Sequence, residues 1–311
     1  MSAPSVVVVA GPTASGKSRL AMELAQRLGG ELVNADSVQV YRGFDIGSAK
    51  PSREERAQVR HHLIDEREAH ETWSAAEFVA DADRAIAGIS DRGRLPIVVG
   101  GTGLYLRSLL RGLVEAPAAD PGLRASLGEE LARVGIEALH ARLAGLDPAY
   151  AASIHVRDRV RVIRGLEIVT LTGRRRSDLH AEHGLREDRY RAMLLVLDGD
   201  REALHARIDA RARGMVEAGL LAEVEGLLAA GVSSDAQPMR AIGYRHALQR
   251  MSGELGEGWG ELLARDTRHY ARRQLTWFRA QPQVTWVPLD GGGEVALWAE
   301  RIAAWRREPA M

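Results

Sequence analysis

The sequence predicts an α/β protein: a P-loop parallel-sheet core with a helical insertion domain and further helices at its C-terminal end. Three observations carry this. The β-branched run "SVVVVA" leads into Gly11 to Ser18, which match G-x-x-x-x-G-K-[ST], and an amphipathic stretch follows, so the segment reads as strand, phosphate loop and helix. Over residues 1 to about 112, short apolar runs alternate with amphipathic segments, the rhythm of βαβ units. From about Pro117 the pattern turns helical and arginine-rich, and no convincing strand returns until "RYRAMLLVLDGD" at 189–200.

In chain order, "ELVNAD" is a second strand that ends at Asp36, and "SAAEFVADADRAIAGI" reads as a helix from about Ser74. "LPIVVGG" is the next strand, running into "GGTGLY". "DPGLRASLGEELARVG" opens behind an Asp-Pro start, with the Asp placed to cap a helix and the Pro tolerated in its first turn. After Asp200, "REALHARIDARARGMVEAGLLAEVEGLLAAG" and "GWGELLARDTRHYARRQLTWFRAQ" read as helices, and "VTWVPL" as a last short strand; Gly291 to Gly293 mark a turn. The expected division is a first part of the core at 1–114, a helical insertion at 115–189, and the remainder of the core with C-terminal helices at 190–311.

A chain of 311 residues, 45% hydrophobic, has material for one large or two modest cores. The absence of cysteine removes disulfide frameworks, Cys-ligated zinc and thiol nucleophiles, and fits a reducing compartment. No basic-then-apolar signal precedes Val6, and no apolar run approaches the ~18 residues of a membrane helix, so the expectation is a cytoplasmic protein without a membrane partner. A net charge of zero argues against indiscriminate polyanion binding. Among the 42 basic residues only Lys17 and Lys50 are lysines.

The loop chemistry follows from backbone geometry. N–H groups of Gly11, Thr13, Ala14, Ser15 and Gly16 can form a concave anion site at a helix N-terminus, Lys17 adds a point charge, and the Ser18 hydroxyl is placed to ligate Mg²⁺. A diphosphate or triphosphate is the expected ligand. In open α/β sheets ligands bind beyond the carboxyl ends of strands, which brings Asp36 and Thr102 to the same crevice. Asp36 reads equally as a general base, a cap, or a water-mediated Mg²⁺ ligand, and Thr102 as a cap. Spacing alone leaves a small-molecule or nucleotide kinase, a transferase, and an RNA-binding module with a switch-like loop all standing.

"GPTASGKS", "NADSVQVYRGFDIGSAKP", "HHLID", "VGGTGLYLRSLL", "DPAYAASIHVRDRVRVIRGLEI", "RAIGYR" and "RRQLTWFR" follow one another from residue 11 to about 279. In this order they resemble the bacterial tRNA dimethylallyltransferases, which move a dimethylallyl group from its diphosphate to an adenine beside the anticodon. The resemblance implies that the loop holds dimethylallyl diphosphate with Mg²⁺ rather than a nucleotide. It implies that Asp36 accepts the proton of the adenine N6 amine, that Thr102 lies beside the reacting centre, and that Lys17, with Arg211 of "RIDARARGM", meets the charge growing on the leaving diphosphate. Arg207 and Arg213 lie within one turn of Arg211, and a solvated arginine face is an equal reading of any one of the three. Ser48 and Gly165 stand where Thr and Ala are common in the family, and Gly165 costs its helix up to ~1 kcal/mol relative to Ala.

The implied partner is the anticodon stem-loop of tRNA, bound by a monomer. Arg157, Arg161 and Arg164 are spaced as one helical stripe, with Val156, Val160 and Ile163 on the adjacent side. Further expected contacts are Asp36, Ser37, Val38 and Gln39, then Arg124, and then Arg240, Gly243, Tyr244 and Arg245 of "RAIGYR". "RHYARRQLTWFR" brings Arg268, Arg272, Arg273 and Arg279, with Gln274 and Trp277 among them. Guanidinium groups hold phosphates while Gln and aromatics read or stack on unpaired bases, although Trp277 reads equally as core. His61, His62 and His155 read as structural, since no second cluster at zinc-like spacing completes a metal site.

Overall fold

The valine run of β1 (Ser5–Ala10) is buried on both faces, which is why it is continuous rather than alternating. Val6, Val8 and Ala10 enter one core, with Val33, Val98 and Phe78; Val7 and Val9 enter a second, with Leu20, Ile97 and Leu195. The computed structural model describes residues 4–114, 116–183, 188–289 and 295–308, so the turn expected at Gly291 to Gly293 lies outside the described residues.

β1 is followed by α1 (Lys17–Leu28), β2 (Gly30–Asn34), α2 (Arg53–Gln58), β3 (His61–His62), α3 (Ala75–Asp91), β4 (Leu95–Gly100) and α4 (Gly103–Arg111). Five helices come next: α5 (Pro121–Val134), α6 (Ile136–Leu146), α7 (Pro148–Ala152), α8 (Arg159–Thr172) and α9 (Arg176–His183). The chain then forms β5 (Arg191–Asp198), α10 (Arg201–Glu217), α11 (Leu220–Ala229), a single 3-10 turn at Gln237–Arg240, α12 (Ile242–Met251), α13 (Trp259–Arg279), β6 (Val284–Pro288) and α14 (Val295–Arg307). Six parallel strands form one sheet in the order β3-β2-β4-β1-β5-β6, an α/β fold. The edge strand β3, made by the His61–His62 pair, and the helix α14, whose Trp298 and Ile302 enter the second core, were not anticipated. Among the described residues no helix is long and apolar enough to cross a membrane.

The chain divides into two compact units, one made of 1–110 and 189–311 and the other of 111–188. In the first, Ser74 and Glu77 form a reciprocal capping box that starts α3. Glu31 is almost fully buried in β2 and binds Arg92 Nη2 and His62 Nε2, each at 2.7 Å. Burial alone would raise its pKa, but the Arg92 and His62 hydrogen bonds outweigh that and hold it at about 2. Glu31→Gln is therefore expected to cost about 3 kcal/mol of stability at pH 7. The folded pKa lies below the unfolded one, so this contribution is present at neutral pH and vanishes as pH falls toward 2; denaturant titrations of both proteins at pH 7 and pH 3 check it.

In the second unit Leu127, Leu139, Leu143, Tyr150, Val162 and Leu166 form a core of their own. Asp120 caps α5 by accepting the Leu123 N–H at 2.7 Å, with Pro121 in the first turn. Asp158 caps α8, so Arg157 lies in the preceding turn and not on the helical stripe expected for it. The apolar face is also rotated from the expected one: Val162 and Leu166, one turn apart, point inward, whereas Val160 is 78% exposed. Val160 and Val162 are two positions apart, and ~200° of helical rotation puts them on opposite sides. An alanine Cβ at Gly165 would lie 3.0 Å from both Leu143 and Tyr150, so the missing methyl admits close packing there.

Candidate active site at the carboxyl edge of the sheet

Ala10 of β1 pairs with Gly100 of β4, and Asn34 of β2 with Val99, so the segments leaving these three strands emerge side by side. A crevice at this edge is lined by Thr13, Lys17, Ser18, Asp36, Arg211 and Tyr270, among others. Gly16 sits in the left-handed region (φ 91°) as the N-cap of α1, with no side-chain cap and no acidic residue in the first turn. A helix start of this kind leaves backbone donors and partial positive charge to an anion. Gly11 and Ser15 pack beneath the loop, where a Cβ on Gly11 would lie 2.9 Å from the buried Ser15 hydroxyl; Ala14 takes a left-handed turn (φ 62°).

Burial, and then the charge of Arg211, lower the Lys17 pKa to about 8 against the opposing pull of Asp36. Arg211 is likewise lowered by burial and raised by Asp36. One carboxylate thus sits within the field of two desolvated cations. Of the three neighbouring arginines, Arg211 lines the crevice, Arg207 donates to the Leu289 carbonyl at 3.0 Å, and Arg213 is exposed. Asp36 Oδ1 accepts the N–H groups of Val38 (2.9 Å) and Gln39 (3.3 Å), so it caps its own turn while lining the crevice.

The "GGTG" stretch is required by close approach. A Cβ on Gly101 would lie 2.3 Å from Gln274 Nε2, and one on Gly103 would lie 2.4 Å from the Trp277 ring. Gln274 is buried, accepts the Thr13 N–H and donates to the Gly101 carbonyl, both at 2.9 Å. Its amide joins the Gly11–Ser18 loop to the β4–α4 turn, while its side chain also lines the crevice. Thr102 and Tyr270 are half-buried, and the Tyr270 hydroxyl, on a side chain that lines the crevice, has its pKa pushed up to about 12 by burial and then by the charge of Asp36.

The residues expected at tRNA fall into distinct environments. Ser37, Val38 and Gln39 form the half-buried turn after Asp36. Arg272 and Arg273 are exposed on α13, Arg273 lying 5.7 Å from the Tyr270 ring. Trp277 is half-buried and packs edge-on against Phe278 at 5.1 Å. Arg240, Arg245 and Arg279 are exposed, bonded to the Asp235 carbonyl (3.1 Å), Asp266 (3.3 Å) and Asp198 (3.0 Å). Arg268 pairs with Asp209. Gly243 and Tyr244 are buried, so the expectation that they touch tRNA is corrected: the Tyr244 ring belongs to the core. In the helical unit, Arg161 and Val160 are exposed, while Arg124 (2.9 Å) and Arg164 converge on the fully buried Glu167. Of the histidines, His61 Nδ1 meets the Val59 carbonyl at 2.7 Å and His155 Nδ1 accepts the Arg157 N–H at 3.1 Å.

The IPP transferase family model matches residues 39–281, well over half of the chain. The chain belongs to the IPP transferase family. It is 56% identical over 286 residues to a tRNA dimethylallyltransferase of Anaeromyxobacter sp. (strain K), covering 91% of this chain and 92% of the relative. A tRNA dimethylallyltransferase 1 of Trichlorobacter lovleyi is 50% identical, with 91% and 93% covered. Among solved structures, the full-length tRNA isopentenylpyrophosphate transferase of Bacillus halodurans is 38% identical with a TM-score of 0.70, over 97% of this chain and 96% of that one. A eukaryotic dimethylallyltransferase described as acting on tRNA is 27% identical with a TM-score of 0.81, over 99% of this chain and 81% of that one.

For this IPP transferase family member, sequence reasoning missed Tyr270 as a crevice residue. A signal was present: Tyr270, Gln274 and Trp277 are spaced i, i+4, i+7, one face of an otherwise arginine-rich helix.

Proposed function

We infer that the protein transfers a dimethylallyl group from dimethylallyl diphosphate to the N6 amine of an adenine adjacent to the anticodon in tRNA, releasing diphosphate. The observation that supports this best is the Asp36 carboxylate placed with Lys17 and Arg211 in one crevice above the uncapped start of α1. Asp36 accepts the amine proton as nitrogen attacks the allylic carbon and the carbon–oxygen bond breaks. Lys17, Arg211 and the loop N–H groups stabilise the charge on the departing diphosphate, the kind of preorganised contribution that is usually the largest catalytic term. The hydroxyls of Thr102, two residues past the end of β4, and of Tyr270, which lines the crevice, orient the reacting end.

The donor set also fits Mg²⁺, which binds through one or two protein oxygens plus substrate phosphates rather than an all-protein cage: Ser18 and Asp36 both line the crevice. Ser18 would hold the ion together with the diphosphate, and its chemistry there is neutralisation of leaving-group charge. The kinase reading is not favoured. The family relationship weighs against it, and β4 ends at Gly100 and runs into Gly101 and Thr102 without the acidic metal ligand such an enzyme would present. Incubation with Mg²⁺, bulk tRNA and labelled dimethylallyl diphosphate, followed by digestion to nucleosides, should yield a prenylated adenosine; label transfer from ATP instead, or no product, would refute the reading.

The helical unit contacts the anticodon stem-loop, through exposed Arg161 on α8, and the protein works as a cytoplasmic monomer. Arg161→Ala is expected to weaken tRNA binding and to shallow its log–log salt dependence by roughly 0.7 to 0.9. Arg164→Ala acts differently, because it removes a partner of buried Glu167 and lowers stability. Filter binding across a salt series, with melting curves for both variants, separates the two effects.

A further inference from the structure

"RAIGYR" contributes no residue to the crevice lining, yet its buried tyrosine belongs to a polar assembly that reaches the Asp36 carboxylate. Glu223 of α11 accepts four hydrogen bonds: from the N–H groups of Asp45 (3.2 Å), Ile46 (2.7 Å) and Gly47 (3.3 Å), and from the Tyr244 hydroxyl (2.7 Å). Burial, and then the charge of Glu223, raise the Tyr244 pKa far above its ordinary value, so the hydroxyl remains a donor. Gly47 lies so close to the Tyr244 ring that a Cβ there would approach it to 2.6 Å.

The same turn is held from the inside by Lys50, whose buried ammonium binds Asp45 Oδ1, Asp65 Oδ1 (both 2.6 Å) and the Tyr41 carbonyl (2.7 Å). Three donors meet three acceptors, a compact arrangement for which a planar guanidinium is the wrong shape. This accounts for a lysine persisting here in a chain whose other cations, Lys17 apart, are arginines. The turn in turn carries Gln39. Its Nε2 donates to the carbonyls of Ser48 (3.1 Å) and Ala49 (3.2 Å), and its backbone N–H donates to Asp36 Oδ1. Gln39, Ala49 and Asp36 all line the crevice.

We propose that Glu223, with Tyr244, is a positioning residue for Asp36, acting through the 45–49 turn and the Gln39 side chain. The proposal rests on Asp36 being the base. Its physical content is that the Asp36 carboxylate is oriented by the Val38 and Gln39 amides, which stay in place only while the turn beneath Gln39 is fastened. Continuity of hydrogen bonds is not coupling, so the test must measure coupling.

Amide hydrogen exchange in the substrate-free protein reads the first half. In Glu223→Ala the Val38 and Gln39 amides should exchange about tenfold faster or more, with Val7 and Val8 of β1 unchanged. Single-turnover prenyl transfer at saturating substrates reads the second half: a fall of roughly 10- to 100-fold, with the diphosphate Kd held within about two-fold, is expected. Glu223→Gln, which keeps an acceptor oxygen for Ile46, should recover most of the rate. Glu223→Ala combined with Gln39→Ala should be no slower than the slower single variant. If Glu223→Ala does not fold, Tyr244→Phe removes one donor from the assembly and should show the same pattern at smaller amplitude. Unchanged exchange at Val38 and Gln39, faster exchange throughout β1 as well, or additive rate losses would overturn the proposal. The exchange measurement uses no substrate, so a wild-type protein that fails to prenylate tRNA would refute the functional reading separately.

Discussion

In the Asp36→Asn protein the single-turnover rate at saturating tRNA and dimethylallyl diphosphate is expected to fall by ~10² to 10⁴, while both binding constants stay within a few-fold. The substitution is a clean one. Asp36 Oδ1 accepts the Val38 and Gln39 N–H groups, and an asparagine carbonyl oxygen can accept both, so the turn persists and only the proton acceptor is lost. The reaction needs that acceptor because the lone pair of an adenine N6 amine is drawn into the ring. The same geometry requires the adenine to leave its stack, since an amine inside the anticodon loop could not reach the carboxyl edge of the sheet. Unstacking costs a few kcal/mol, least for an unpaired base, so locking the target adenine into a base pair should depress the rate with the arginine contacts retained. Loss of Mg²⁺-dependent diphosphate binding with little change in single-turnover rate would instead make Asp36 a metal-shell residue.

Lys17→Ala is expected to weaken binding of inorganic diphosphate by roughly 10- to 100-fold, the loss of a charged hydrogen bond of about 1.5–3 kcal/mol, and to leave tRNA affinity nearly intact. Equal loss of both affinities would contradict separate surfaces for the two substrates. A pH signature accompanies it. Burial and the neighbouring charge of Arg211 set Lys17 at about 8, so below that pH the side chain is an ammonium and above it a neutral amine. A bound anion favours the ammonium; diphosphate affinity therefore falls as pH rises through about 8, and binding near that pH takes up a proton. Titration calorimetry without metal, at pH 8 in two buffers of different ionisation enthalpy, should detect that uptake in the wild type and lose it in Lys17→Ala.

Local pattern made the sheet core readable. A short β-branched run bounded by a glycine-rich loop reads as a strand with both faces buried, and Asp36 and Lys17 each follow a strand within a few residues, so their place at the carboxyl edge follows from connectivity. Helix starts at Ser74 and Asp120 were readable because a cap is a bond between residues three apart. Side-chain environments were not. The arginine stripe at 157–164 loses one member because the cap at Asp158 sets where the helix begins, and a shift of two residues turns Val160 outward. Tyr244 has the composition of an RNA-contacting residue but is buried inside the protein on Glu223, and Gln274 at the crevice also binds the Thr13 N–H.

The sequence by itself determined the fold class, the loop that begins α1 and the family, because each rests on spacing within one strand, one turn or one helix. The tertiary structure decided which arginine faces the crevice, that Tyr270 lines it, that Gln274 fastens a loop lying 261 residues earlier in the chain, and that "RAIGYR" holds the turn beneath Gln39. The reason is physical. Periodicity encodes which face of an element is turned away from water, but the partner that fills a given space is set by how separate elements pack, and that distance is not written in the local pattern.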